Sequence, residues 1–214
     1  MKYSTMDWGT MEAVVNKLGG LEGVAQFLRS ETEIVMKKAE ATVTSIIALV
    51  KKITTPTVPD KKTSDCFTNK TRYYYRDADL DNWLPKNQSE QIEGKFSVIG
   101  LTKDGTFKQV VESFLGAMGD IAYLSKALKE RGHTTTLPVI ESLIERQEAG
   151  EDVGLRTDGW WNFFFVEDSD GSVSVVDADR RGRRWIVLVD RLGSDDVWGV
   201  GRRFFFRNSD TVSL

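Results

Sequence analysis

Three carboxylates alternate along Asp77-Ala78-Asp79-Leu80-Asp81-Asn82. A loop that curls can converge such a set on one hard cation, because Ca²⁺ takes about six to eight oxygen ligands. Asp77, Asp79 and Asp81 are therefore the candidate metal residues. The twelfth position of such a loop is Gln88 rather than a bidentate glutamate, and Asn82 stands where a glycine is usual. A solvated acidic turn, its aspartates capping nearby N–H groups, is the competing reading. Asp168-Ser169-Asp170-Gly171 reads first as a hairpin turn. Asp177-Ala178-Asp179, at the end of an expected strand, is a further carboxylate pair that could hold a divalent metal.

Arginines beside aromatic residues suggest a different chemistry. Arg180, Arg181, Arg183 and Arg184 surround Gly182, and Arg202 and Arg203 precede Phe204-Phe205-Phe206. Planar guanidinium forks match phosphate oxygens while rings stack on bases, so these six are the candidate nucleic-acid contacts of the C-terminal part. The segment from Asp158 to Leu214 nevertheless holds 10 Asp and Glu against 8 Arg. Charged turns that keep an apolar sheet soluble explain the same pattern.

The equipment for catalysis is thin. Cys66 is the only cysteine and His133 the only histidine. A zinc site of the common Cys/His type cannot be built from one of each. A Cys66–His133 nucleophile pair has no local support, and the P-loop, Gly-x-Gly-x-x-Gly and Gly-x-Ser-x-Gly patterns are absent. No cofactor is expected.

These residues belong to a chain of 214 with 40% hydrophobic and 29% charged residues, enough to fold around a sizeable core. The formal net charge of −3 argues against a surface that attracts nucleic acid or anionic membrane everywhere, while permitting a local basic patch. One cysteine suits a reducing cytoplasm. No uncharged apolar run reaches the roughly 18 residues of a membrane span, and the N-terminus lacks a signal-peptide core.

Helical spacing predicts short helices from Thr10 and from Leu21, with Gly19-Gly20 between them, and a third over 33–53. The β-branched residues between Thr42 and Ile47 keep a strand open there. The Pro- and Thr-rich stretch 54–70 reads as a linker, and 71–150 as a mixed segment of strands near 71–75 and 95–101 followed by three helices. All 15 lysines lie at or before Lys129, and 10 of the 22 aromatic residues lie at or after Asp158. That shift marks 158–214 as a separate β segment of four strands divided by Gly/Asp turns. Two of these strands, Trp160–Glu167 and Arg184–Asp190, are apolar on both faces and so need cover on both. The expected fold is α+β, with N-terminal and central helices packed on a C-terminal antiparallel meander or small barrel.

The stretch Ala13-Val14-Val15-Asn16-Lys17-Leu18-Gly19-Gly20-Leu21-Glu22-Gly23-Val24-Ala25 resembles the start of small helix-turn-helix regulators. The resemblance implies a following recognition helix, whose basic positions here are Lys37 and Lys38. A packing αα-hairpin gives the same pattern. The opening Trp8-Gly9-Thr10-Met11-Glu12-Ala13 and the run Trp161-Asn162-Phe163-Phe164-Phe165-Val166 resemble short uncharacterised proteins of environmental bacteria, which implies a bacterial source and no site. The expected function is a non-catalytic cytoplasmic binding or regulatory module working through protein–protein contacts, with a protein partner or a homo-oligomer covering surplus aromatic surface. A nucleic-acid-binding regulator is the alternative, and a metal-dependent enzyme the second.

Overall fold

The computed structural model describes residues 45–208, together with Val15 and Asn16, which are helical. Residues 1–43 and 44–214 form separate compact units, and the architecture below is that of the second. The short N-terminal helices, the first part of the expected helix 33–53, and Lys37 and Lys38 lie outside the described residues.

Among the described residues, nine strands form in chain order: β1 (Ile47–Thr55), β2 (Lys61–Lys62), β3 (Tyr73–Arg76), β4 (Asn87–Gln88), β5 (Gly94–Leu101), β6 (Asn162–Glu167), β7 (Val173–Arg181), β8 (Arg184–Arg191) and β9 (Arg203–Asn208). Among the described residues of this unit, four helices accompany them: α1 (Asp79–Trp83), α2 (Phe107–Leu115), α3 (Ile121–Glu130) and α4 (Leu137–Glu148). Seven strands make one sheet in the order β1-β5-β9-β6-β7-β8-β3, while β2 and β4 pair separately. β9 runs parallel to β6, and β3 parallel to β8. The remaining neighbours in the large sheet are antiparallel.

This corrects the expected fold. The sheet is mixed, it does not close into a barrel, and it takes in β1 from the stretch read as helix and β3 and β5, the two strands expected in the mixed segment 71–150. The physical reason lies in two matching triplets. Phe163 and Phe164 face Phe204 and Phe205 in register across the parallel β6–β9 pair. The three ring pairs stack at 4.8, 4.6 and 4.6 Å between centroids, and all six rings are fully buried. Burying each is worth about 1.5–3 kcal/mol. Rings alternate between the two faces, so the pair needs an apolar layer above and below, which the centre of an open sheet provides.

Both layers are present. On one face Phe164, Phe205, Val176 and Trp185 pack with Ile140, Leu143 and Ile144 of α4. On the other, Phe163, Phe165, Phe204 and Phe206 pack with Val110 and Val111 of α2 and Leu124 and Leu128 of α3. The helices begin and end where their sequences say. Thr106 and Gln109 form a capping box at α2, whose end is set by Gly116 in the left-handed region. Asp120 caps α3 through the Tyr123 N–H, and Pro138 stands in the first turn of α4.

Two further stretches differ from expectation. The last third of the expected helix 33–53 lies in strand β1, paired with β5 from Ile47↔Leu101 to Thr55↔Gly94. Its apolar positions suit either period, and β5, with one side unpaired, decides in favour of the strand. Residues 54–70, read as a linker, hold β2 and a 3₁₀ turn at Thr63–Asp65, and they send Val58, Cys66 and Phe67 into the core. Among the described residues, no helix is long and apolar enough to cross a membrane.

Candidate functional site: the arginine–aromatic end of the sheet

β6 and β9 start at the same end of the sheet, where β7 finishes and β8 begins. The register aligns Arg203 with Asn162 and Asn162 with Ala178, while Arg180 faces Trp185 and Arg181 faces Arg184. Arg180, Arg181, Arg183, Arg184, Arg202 and Arg203 thus gather at this one end. From β9 to β8 the spread is three strand spacings of about 4.8 Å each.

The loop 156–161 is fixed by one buried side chain. Asn162 accepts from the Arg156 N–H at 2.7 Å and donates to the carbonyls of Arg156 at 3.0 Å and Ala178 at 2.9 Å. Arg156 in turn pairs with Asp158 and donates to the Gly201 carbonyl at 3.0 Å. Trp160 is thereby held at the sheet end, 39% exposed. Trp198 is fixed by reciprocal backbone bonds with Gly105 of 3.0 and 2.9 Å.

The guanidiniums are held by ring stacking. Arg202 lies 4.8 Å from the Trp160 ring and 5.5 Å from that of Trp198. A Cβ at Gly199 would stand 2.9 Å from Arg202 Nη1, so glycine there admits the side chain. Gly201 adopts φ +105°, a conformation that other residues rarely take. Arg181 lies 5.9 Å from Trp161, and Arg184 lies 4.8 Å from Tyr74, whose ring is 64% exposed.

Most of these arginines lack a carboxylate partner, as do Arg131 and Arg207 elsewhere among the described residues. Arg72, Arg76, Arg146, Arg156 and Arg191 all form ion pairs. Among the described residues, Arg180, Arg183, Arg184, Arg202 and Arg203 have no carboxylate within ion-pair distance, whereas Arg181 donates to buried Asp179 at 2.8 Å. Arg180 Nε, Arg202 Nε and Trp198 Nε1 are buried donors without an acceptor. Burial, with the Arg156 guanidinium close by, holds Arg203 below the ordinary arginine value. Its Nη1 donates to the Gly154 carbonyl. Arginines without ion-pair partners beside two exposed rings are equipment for an anionic ligand with flat groups.

The other expected site residues are spent locally. Asp77 Oδ1 accepts from the Asp79 N–H at 3.0 Å, Asp79 Oδ1 accepts from Asn82 at 3.0 Å, and Asp81 receives both guanidinium nitrogens of Arg76 at 2.7 and 2.9 Å. Among the described residues, no three His, Cys, Asp or Glu side chains are placed to share a metal. Cys66 is buried, with its thiol pushed up to about 12 by burial and then by Glu141. His133 contacts the Arg207 carbonyl and the Phe114 ring, so it is engaged away from Cys66. Asp177 and Asp190 lie diagonally on one face of β7 and β8, and Asp177 Oδ1 is buried without a partner.

The aromatic surplus that suggested a protein partner is covered by the chain's own helices on both faces. Sequence reasoning picked the arginines but missed their holders: Asn162, Trp160, Trp198 and Tyr74. Of these only the Trp160-Trp161-Asn162 run, ahead of an apolar strand, carried a readable signal. No protein-family model, no curated protein and no solved structure matches the chain.

Proposed function

We propose that this protein binds single-stranded nucleic acid through the arginine–aromatic end of its sheet, as a non-catalytic module of a bacterial cytoplasm. One observation carries the reading: five arginines without carboxylate partners among the described residues stand at this end of the sheet, Arg184 and Arg202 on one face and Arg180 and Arg203 on the other, beside the exposed Trp160 and Tyr74. The spacing of arginines over three strands suits successive phosphates, and exposed rings offer stacking worth about 1–3 kcal/mol per base. The net charge of −3 confines the attraction to this end.

Fluorescence anisotropy with a labelled single-stranded oligonucleotide tests it. If all five guanidiniums meet phosphates, the logarithm of the affinity falls with the logarithm of salt at a slope of about −3.5. Arg184→Ala combined with Arg202→Ala lowers the affinity and flattens that slope. Absence of binding at low salt, or an affinity indifferent to salt, defeats the proposal.

A further inference from the structure

At the opposite end of the sheet the parallel pair β6–β9 splits. Its pairing stops after Phe164↔Phe205, and the chain leaving α3 wedges between the two strand ends. There the Thr135 N–H donates to the Phe165 carbonyl at 2.8 Å and the Arg207 N–H to the His133 carbonyl at 3.3 Å. α3 packs on one face and α4 on the other, so the chain crosses the sheet at this point. A crevice beyond the carboxyl ends of diverging parallel strands is where open sheets hold ligands. A cleft of about 930 Å³ occupies it, between the segment 85–92, the segment 132–136 and the turn 168–171.

The walls are built rather than loose. Asp168 is 3% exposed, and its Oδ2 accepts from Ser172 at 2.9 Å, Ser174 at 3.0 Å and Arg191 at 2.5 Å. Its Oδ1 is buried with no partner, as is Thr136 Oγ1. The Ser169 N–H donates to the Trp83 carbonyl at 2.9 Å, and Arg191 stacks 4.0 Å over the Trp83 ring. Across the cleft, Gln91 is pinned by backbone bonds of 2.8 and 2.9 Å to Val58, and its Oε1 accepts from Thr135 at 2.8 Å.

The lining selects a chemistry. Glu90, Glu167, Asp168 and Asp170 line it with one cation, Arg207, while Arg191 and Lys129 pair with Asp168 and Glu167 from outside the lining, so Glu90 and Asp170 stand without an ion-pair partner among the described residues. The rest is mostly amide and hydroxyl, the groups that hydrogen-bond a peptide backbone. No aromatic ring lines the cleft to carry a sugar or a base. We infer that this cleft takes an extended peptide segment bearing lysine or arginine side chains, its backbone met by Gln91 and the Thr134–Thr136 run and its cations by the exposed Glu90, Glu167 and Asp170. The site is separate from the arginine–aromatic end and does not depend on what binds there.

The probe is a fluorescein-labelled heptapeptide of alternating alanine and lysine, compared by anisotropy with its alanine–glutamate counterpart. The lysine peptide is expected to bind saturably and the glutamate peptide not to bind. Glu167→Gln with Asp170→Asn, both exposed, should weaken binding about tenfold. Glu90→Lys, also exposed, should weaken it at least as much, and far-UV circular dichroism reports whether each variant folds. Asp195→Asn with Asp196→Asn, outside the lining, should leave it unchanged. Equal binding of the two peptides, no saturable binding, no loss in the cleft variants, or an equal loss in the Asp195/Asp196 variant each overturns the inference.

Discussion

The two ends of the β6–β9 pair treat charge in opposite ways. Where the strands begin, arginines stack on Trp160, Trp198 and Tyr74, with few carboxylates to cancel them. Where they finish, Arg191 and Lys129 are turned onto Asp168 and Glu167, and carboxylates dominate the cleft. A guanidinium that stacks is held by its face and keeps its N–H edge for a ligand. One that pairs with a carboxylate spends that edge. Ring stacking therefore fixes an arginine without silencing it, and the ends differ in what remains available more than in how many charges they hold.

The largest effect that would break this contrast comes from the anchor of the basic end. Asn162→Ala strips three hydrogen bonds from a fully buried position and leaves the Arg156 N–H and the Ala178 carbonyl short of a partner. A loss of about 2–4 kcal/mol is expected, measured as a lower urea midpoint at unchanged slope. Oligonucleotide affinity should fall with it, because Trp160 is no longer presented, while lysine-peptide binding at the far end persists in the folded fraction. Parallel loss at both ends would mean that they are not independent.

A smaller effect sharpens the stacking argument. Arg202→Ala should cost about tenfold in oligonucleotide affinity, near 1.4 kcal/mol, and Trp160→Ala a similar amount. Because the ring holds the guanidinium, the double variant should lose less than the sum of the two single losses, with a coupling of about 0.5–1 kcal/mol. Strict additivity would show that Trp160 does not position Arg202. Asp168→Asn, at the other end, should not touch this affinity.

Much of this was legible in residue patterns, and the remainder depended on long-range pairing. The turn glycines, the Thr106 and Asp120 caps and Pro138 delimit α2, α3 and α4 locally, so they read well. The double-faced apolarity of Trp160–Glu167 correctly demanded two covering layers. It could not say that the neighbour would be β9, because a strand's own residues report burial and not the partner strand. The same gap hid the site. Six arginines were visible, but their gathering at one end follows from the β6–β9 register and the β7–β8 hairpin. Nothing in Asn87, Gln91 or Thr134 to Thr136 marks a cleft, since neutral polar residues carry no signature until the fold places them together. β1 was misread because Ile46, Val50 and Ile53 suit a helical face as well as a strand, and only the open side of β5 settles the matter.

Between the two ends lies a third way of handling charge, and it predicts the smallest effect. Asp177 and Asp190 lie on one face of β7 and β8, with Asp77 and Asp196 adding like charge. Burial first, and then the neighbouring carboxylates, push Asp177 well above the usual carboxylate range, and burial raises Asp190 as well. An acid whose value is raised on folding holds its proton more tightly in the native state. Stability is therefore greatest below the ordinary carboxyl value of 3.8 and is lost as pH rises through the raised one. His133, lowered mainly by burial, works the other way: it costs stability as pH falls below 6.5. In Asp177→Asn the buried group no longer ionises beside Asp190, so about 1 kcal/mol should be gained near pH 8. The acid-side gain in melting temperature should then disappear, leaving the opposite slope from His133. A wild-type melting temperature that climbs steadily from pH 4 to pH 8, unchanged in the variant, would mean that these carboxyls are charged and compensated. In that case the middle of the sheet would handle its acids by pairing, as the cleft end does.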